Sequence, residues 1–133
     1  DSEGPTVTLG DQLNINKFAK ANVKFKEESK VVELAKQELQ NLEDAENDLM
    51  LLDDEDGLHP YLLGEVFVHL PAEEVTERLE RKKLDLQQKC REHEERAASL
   101  RGEMAHLKKV LYDKFGDRIN LDENPPAGAQ RAG

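Results

Sequence analysis

The sequence contains no tryptophan, one cysteine and few aromatic residues, and each scarcity excludes a class of protein. Aromatic residues make up 5% of the 133 residues, while hydrophobic and charged residues make up 37% and 36%. This composition provides too little bulk for a compact globular core and is typical of long helices that bury a narrow stripe. Because Cys90 has no second cysteine to pair with, an internal disulfide is excluded, and nothing indicates an oxidising compartment.

Long apolar runs are also missing from the sequence. No run approaches the roughly 20 residues of a membrane-spanning helix. The first ten residues, DSEGPTVTLG, lack the hydrophobic region of a signal peptide, although the absence of an initiator methionine leaves room for a leader that has been removed. We therefore expect a soluble protein of the cytoplasm, with the nucleus as a further location, and no membrane partner.

Basic residues are absent from the middle of the chain. Residues 37–77 contain thirteen Asp and Glu and no Lys or Arg, within a whole-chain net charge of −10. The two ends are neutral to slightly basic and have no concentrated basic patch. Because an acidic surface repels phosphate backbones, we predict that nucleic acid is not a partner.

Motifs of catalysis and metal binding are missing as well. The run HEER after Cys90 lacks the two metal ligands at helical spacing that an HExxH site needs. In the run DDEDG, a calcium-loop alignment on Gly57 would place Leu52 and Leu63 at the first and twelfth positions, where oxygen ligands are required. We predict that the protein is not an enzyme and holds no metal or cofactor.

Two stretches of heptad repeats account for most of the chain. In the first, one apolar line contains Phe18, Phe25, Val32 and Leu39, and its companion contains Ala21, Glu28, Ala35, Leu42 and Leu49. In the second, the lines contain Leu79, Leu86, His93, Leu100 and Leu107, and Thr76, Lys83, Cys90, Ala97, Met104 and Leu111. These are the a and d positions of a coiled coil. They predict a mainly α fold, a long antiparallel two-helix coiled coil.

The ends of both helices are indicated by helix-breaking and helix-starting residues. The first helix is predicted at about 11–53 and is followed by Gly57 and Pro60. The second is predicted at about 72–116, because Pro71 suits the start of a helix and Gly116 its end. Antiparallel packing of the two helices would bring the chain termini together, away from the connection between the helices.

The connection HPYLLGEVFVHL reads as a β-hairpin at about 59–70. Gly64-Glu65 is a two-residue loop with glycine first, which is typical of a type II′ turn and pairs Leu63 with Val66. Both faces of the hairpin are apolar, yet an isolated two-stranded hairpin is only marginally stable in water. One alternative is that the hairpin packs onto its own helices, but a thin coiled coil can cover only one face. We therefore favour assembly with hairpins of other chains.

Apolar residues continue beyond the heptads at both ends of the chain, with lysines and arginines between them. At the two ends these residues are Val7, Leu9, Leu13 and Ile15, and Val110, Tyr112, Phe115, Ile119 and Leu121. One interpretation is a coiled-coil end that wraps its own tip. Together they exceed what two helix ends can bury, so they indicate a binding surface. Residues 123–133 are rich in Pro, Gly and Ala and are predicted to be disordered.

Four stretches carry a resemblance to a known family. They are DQLNINKFAK, LQNLEDAENDLML, PYLLGEVFVH and YDKFGDRINLD. With the helix–hairpin–helix order, the chain resembles the β-type subunits of prefoldin from about residue 6 to residue 122. The resemblance implies one prefoldin-like domain over residues 1–122, with the β-hairpin inserted between the helices.

The resemblance also implies a function and residues that perform it. Prefoldins are ATP-independent chaperones in which α- and β-type subunits form a heterohexamer through their hairpins. They capture unfolded chains such as actin and tubulin and deliver them to the cytosolic chaperonin. The resemblance assigns subunit assembly to Tyr61, Leu62, Leu63, Val66, Phe67 and Val68. The predicted client-binding tip comprises Leu9, Leu13, Ile15, Phe18, Leu111, Tyr112, Phe115, Ile119 and Leu121.

Two other functions remain open at this point. The chain could be a structural coiled-coil subunit of a prefoldin-like assembly that binds no client. It could also be a small tubulin-binding helical cofactor that acts as a monomer. The sequence does not identify the neighbouring subunits or the preferred clients.

Overall fold

A computed structural model describes residues 6–52 and 57–121 as two long helices with a two-stranded antiparallel sheet between them. The predicted fold class, mainly α with a β-hairpin between two helices, is therefore confirmed. The predicted disordered tail, and the last predicted residue of the first helix, lie outside the described residues. Among the described residues, no helix is long and apolar enough to span a membrane.

The first helix, α1, is Leu9–Met50 and begins two residues before the predicted start. The reason is a reciprocal cap. The Thr8 hydroxyl accepts a hydrogen bond from the Asp11 backbone N–H at 3.1 Å, and the Thr8 backbone N–H donates to the Asp11 carboxylate at 2.9 Å. Such a cap satisfies backbone N–H groups that the first turn of a helix leaves without partners.

Strands β1 (Leu58–Leu63) and β2 (Val66–Pro71) form the hairpin. Leu63 pairs with Val66, and Tyr61 pairs with Val68, which is the predicted register. Gly64 has φ of 60°, and no non-glycine residue in the described part of the chain has a positive φ. Glu65 therefore keeps a negative φ, which agrees with the predicted type II′ turn and excludes type I′.

The second helix, α2, is Ala72–Phe115, with Glu73 and Glu74 in its first turn. Two carboxylates there are favourable because the N-terminal end of a helix carries partial positive charge. Gly116 ends the helix with φ of 58°, as predicted, because glycine adopts this left-handed conformation without strain. A short 3₁₀ turn, Gly116–Arg118, follows.

The chain divides into two compact units. The first unit contains the part of α1 up to Ser29, the part of α2 from Glu94, and the residues that follow α2. Its core, here called the terminal cluster, consists of Phe18, Ala21, Met104, Leu107, Leu111, Phe115 and Leu121. In this unit Lys114 contacts Asp11 and Arg101 lies over the ring of Phe25, so the two helices run antiparallel.

The second unit, Lys30–His93, contains the hairpin. Its core, here called the hairpin cluster, consists of Leu42, Tyr61, Val75 and Leu79. Its heptad positions Ala35 and Cys90 are also buried. The heptad pattern is wrong at Thr76, which is exposed, because Val75 turns inward to join the cluster and the Thr76 hydroxyl donates to the carbonyl of Ala72.

A lysine occupies the predicted apolar seam of the second unit, as the heptads indicated. The Lys83 ammonium lies 3.1 Å from the Glu46 carboxylate on α1 and 3.4 Å from Glu80 on its own helix. The hydrogen bond that the Lys83 ammonium donates to the Glu46 carboxylate raises the pKa of Lys83 above its usual value. A partly buried charge with a partner on the facing helix favours one register of the two helices over others.

Candidate functional site

The inner face of the hairpin packs on the helices of its own unit. Tyr61 is 7% exposed within the hairpin cluster, and Val68, its partner across the hairpin, packs against the same cluster. The Lys82 ammonium lies 5.0 Å from the centre of the Tyr61 ring, and the Arg78 guanidinium lies 5.8 Å from it. Cations over the ring face add electrostatic attraction to the apolar packing, so this face is fixed in place.

The outer face of the hairpin is open. Leu62 and Phe67 stand directly opposite each other on it and are 46% and 66% exposed. Leu63 and Val66, which share the inner face with Tyr61 and Val68 but lie beside the turn, are exposed as well. The interpretation that the hairpin only packs on its own helices accounts for one face, as expected for a thin coiled coil. Two apolar strands that expose such side chains and both edges provide a surface for further strands.

Sequence reasoning missed several apolar residues beside the hairpin. The exposed residues are Met50, Leu51 and Leu52, which follow the last heptad residue of α1, and Leu58 at the start of β1. A cavity of about 560 Å³ lies at the base of the hairpin. Its lining includes Leu49, Leu52, Pro60, Leu62, Val75 and Leu79. The signal was present in the sequence, because the apolar run after Leu49 has no place in the heptad stripe.

The structure divides the nine predicted tip residues by burial. Phe18, Leu111, Phe115 and Leu121 belong to the terminal cluster and are buried. Ile15, Tyr112 and Ile119 are partly buried against it. Leu9 and Leu13 are exposed, one turn apart on α1, and Val7 and Val110 are exposed too. The client-binding role of the nine residues stays a prediction, and in this structure Leu9 and Leu13 are its most accessible members.

The charges at the helix ends are partly paired. Asp11 is buried and bonds to Lys114 of the facing helix. The hydrogen bond from Lys114, together with the bond from the backbone of Thr8, holds the pKa of Asp11 below its usual value. Lys108 lies 5.8 Å from the centre of the Tyr112 ring. Among the lysines and arginines interleaved with the predicted tip residues, Lys17, Lys20, Lys109 and Arg118 are exposed.

The described residues contain no group of three or more His, Cys, Asp and Glu side chains that could hold a metal ion. What the geometry provides instead is apolar surface in two places, at the hairpin and at the helix ends. An arrangement of this kind can bind other chains by covering apolar side chains.

Comparison with known proteins identifies the protein family to which the chain belongs. The family model for prefoldin subunits matches residues 12–118, so the chain belongs to the prefoldin subunit family. It is a chaperone subunit that forms part of a hetero-oligomeric prefoldin complex.

Individual relatives show which prefoldin subunit the chain is similar to. The chain is 43% identical to human prefoldin subunit 4 over 121 residues, which cover 91% of this chain and 90% of the human protein. It is 30% identical to prefoldin subunit 4 of Saccharomyces cerevisiae over 116 residues, which cover 87% of this chain and 89% of the yeast protein. The resemblance to prefoldin subunits that the sequence motifs indicated is confirmed, and both of these relatives are subunit 4.

Proposed function

We propose that the chain is a subunit of an ATP-independent heterohexameric chaperone of the cytosol. In this proposal the complex captures unfolded polypeptides of the actin and tubulin type and delivers them to the cytosolic chaperonin. The observation that supports this proposal is the presence of two exposed apolar surfaces. The outer face of the hairpin suits assembly with α- and β-type sister subunits, and the exposed leucines where α1 begins suit client capture.

The open face of the hairpin supports the assembly step. Leu62 and Phe67 lie on a strand pair whose opposite face is already occupied by the hairpin cluster. Covering them with strands of sister subunits removes apolar area from water at about 25 cal/mol per Å². It also pairs the free edges of β1 and β2, which would otherwise attract unrelated strands.

The helix ends support the capture step. Leu9 and Leu13 are available without any rearrangement of the terminal cluster. One such contact is weak, because two leucine side chains cover little area. Several subunits on one frame keep a released client segment close to the next contact, so weak contacts sum to useful retention and still allow release without nucleotide hydrolysis.

One observation favours a second function, a structural subunit that binds no client. Phe18, Leu111, Phe115 and Leu121 are buried in the terminal cluster, so the structure closes part of the surface that was predicted to bind clients. A purely structural role would need only that core.

A matched pair of variants separates the two functions. Leu13 and Leu34 lie on the same helix and are 51% and 52% exposed, but only Leu13 belongs to the predicted tip. Each is replaced by serine in the assembled complex, and suppression of aggregation of unfolded actin is measured. Client capture predicts weaker suppression for Leu13→Ser, more so with Leu9→Ser added, and wild-type suppression for Leu34→Ser. Equal suppression by all variants would support the structural role.

A further inference from the structure

The residues after α2 turn back and bury a leucine in the protein's own terminal cluster. Gly116 ends the helix in the left-handed conformation, and the 3₁₀ turn Gly116–Arg118 redirects the chain. Ile119 is then extended, with φ of −123° and ψ of 144°. Leu121, two residues later, is 5% exposed among the buried residues of the cluster. An extended segment thus occupies apolar space at the helix end.

This segment is held by a side chain rather than by a backbone ladder. The Leu121 N–H donates a hydrogen bond of 3.0 Å to the Tyr112 hydroxyl oxygen, one turn before the end of α2. A single neutral hydrogen bond makes only a modest net contribution, because water replaces it when it breaks. The attachment of the segment is therefore weak compared with that of a strand in a sheet.

The segment also does not lie flush against the helix. An open cavity of about 510 Å³ is lined by Tyr112 and Gly116 on one side and by Ile119 and Asn120 on the other. The space is open to solvent, so Ile119 and Asn120 make fewer contacts with the helix there than core residues would. Poor packing here lowers the free energy needed to lift residues 119–121 from the cluster.

We propose that residues 119–121 are an internal ligand of the tip, which an extended client segment replaces. The aliphatic side chain of the client takes the place of Leu121 beside Leu111 and Phe115, and a client backbone N–H donates to the Tyr112 hydroxyl. The inference rests on the proposed client capture. It gives the buried members of the predicted tip a role in binding, because they become the floor of the site once Leu121 leaves.

The partner is defined by chemistry that unfolded chains share. Any extended segment presents a backbone N–H, and an aliphatic side chain recurs every few residues in most sequences. A folded protein pairs most of its backbone N–H groups and buries most of its aliphatic side chains. The site therefore selects unfolded polypeptide without reading a particular sequence.

The first test uses Tyr112→Phe in the assembled complex, because this variant removes only the hydroxyl that accepts the Leu121 N–H. Loss of one hydrogen bond should raise the amide exchange rate of Leu121 about two- to tenfold without client. Because the same hydroxyl would accept a client N–H, the variant removes one hydrogen bond from both the closed and the client-bound state, so the affinity for reduced, permanently unfolded α-lactalbumin should stay within about twofold of wild type. Hydrogen exchange with mass spectrometry and a binding titration measure the two quantities. Leu121 exchange that stays at the wild-type rate would mean that the hydroxyl does not hold the segment, and a loss of affinity of about tenfold or more would mean that the client and the segment do not share it; either result would overturn the proposal.

Two leucine variants provide the second test. Leu121→Ala lowers the stability of the first unit but vacates the site, whereas Leu111→Ala lowers stability and damages the floor of the site. The proposal predicts tighter binding of the unfolded α-lactalbumin by Leu121→Ala and weaker binding by Leu111→Ala. Weaker binding by both would mean that Leu121 is only a core residue.

The wild-type complex distinguishes failure of this inference from failure of the proposed function. If the wild type binds the unfolded α-lactalbumin and Leu121 exchange is unchanged or slower with client bound, the internal-ligand proposal is wrong while client capture stands. If the wild type does not bind it at all, and Leu13→Ser changes nothing, client capture itself is wrong.

Discussion

Asp11 is a carboxylate whose single charge serves two contacts at the start of α1. It caps the helix through Thr8 and bonds to Lys114 of the facing helix. Both contacts favour the ionised form, which is why its pKa is lowered in the folded protein. The charge therefore couples the start of one helix to the end of the other.

This coupling predicts a pH dependence of stability. Because the folded pKa of Asp11 lies below its ordinary value of 3.8, its stabilising effect is fully present above pH 3.8 and is lost as the pH falls through the folded pKa. Asp11→Asn removes that dependence, so wild type and variant should differ in melting temperature at neutral pH and converge at the acid end. Thermal unfolding followed by circular dichroism measures this. A constant difference down to the lowest pH would contradict it.

Burial predicts the cost of shortening a leucine. Leu111 is fully buried in the terminal cluster, whereas Leu13 is exposed on α1. Leu111→Ala should lower the free energy of unfolding by about 2–5 kcal/mol, because transfer and cavity terms add. Leu13→Ala should change it by less than about 0.5 kcal/mol. Urea unfolding followed by circular dichroism compares the two variants, and equal losses would show that the cluster is not the core of this unit.

The heptads predicted most core positions, because a repeat of seven on a helix identifies the buried stripe without knowledge of the partner. They did not predict the burial of Asp11, whose partner Lys114 is 103 residues away in sequence. Nor did they predict the inward turn of Val75, which packs in the hairpin cluster with Tyr61. Both failures arise from tertiary contacts that a local pattern does not contain.

Among the secondary-structure elements, the hairpin is the one whose turn and register were both predicted correctly from the sequence. Gly64 selects the turn, and the alternation of side chains fixes the register once the turn is known. The start of α1 was predicted two residues late because the spacing Thr8 to Asp11 was not read as a reciprocal cap. The run of apolar residues after Leu49 was likewise not assigned to the hairpin surface.

The open face of the hairpin yields a test of assembly. Phe67→Asp places a charge where sister strands are proposed to pack and should abolish hexamer formation, since an unpaired charge buried at an interface is very costly. Leu84→Asp, at a similarly exposed position on α2, should leave the hexamer intact. Native mass spectrometry with partner subunits gives the assembly state, and circular dichroism should show the same helicity for both variants. A Phe67→Asp chain that still assembles would contradict the proposed interface.

At the scale of the whole molecule, charge is distributed unevenly along the sequence. Residues 37–77 contain thirteen acidic residues and no Lys or Arg, and the ends are neutral to slightly basic. Several exposed lysines, among them Lys17 and Lys109, lie near the predicted tip residues. An electrostatic preference of the tip for acidic clients follows as a hypothesis.

Charge reversal tests that preference. Lys17→Glu with Lys109→Glu should weaken capture of unfolded tubulin severalfold at low salt and much less at high salt, where the charges are screened. Lys26→Glu with Lys89→Glu changes the net charge equally at exposed positions outside the predicted tip. Lys114 is unsuitable for this purpose because it bonds to Asp11. Equal effects of the two double variants, or an effect independent of salt, would contradict the preference.

The buried thiol of Cys90 gives the second unit a built-in reporter of opening. Because the sulfur is buried and this chain has no other cysteine, an alkylating reagent can label the chain rapidly only in molecules whose helices have separated at Cys90. The labelling half-time then measures how often the two helices separate by local unfolding, and no cysteine has to be introduced by mutation. Comparing that half-time in the free subunit and in the complex shows whether sister chains stabilise the second unit, which contains the hairpin.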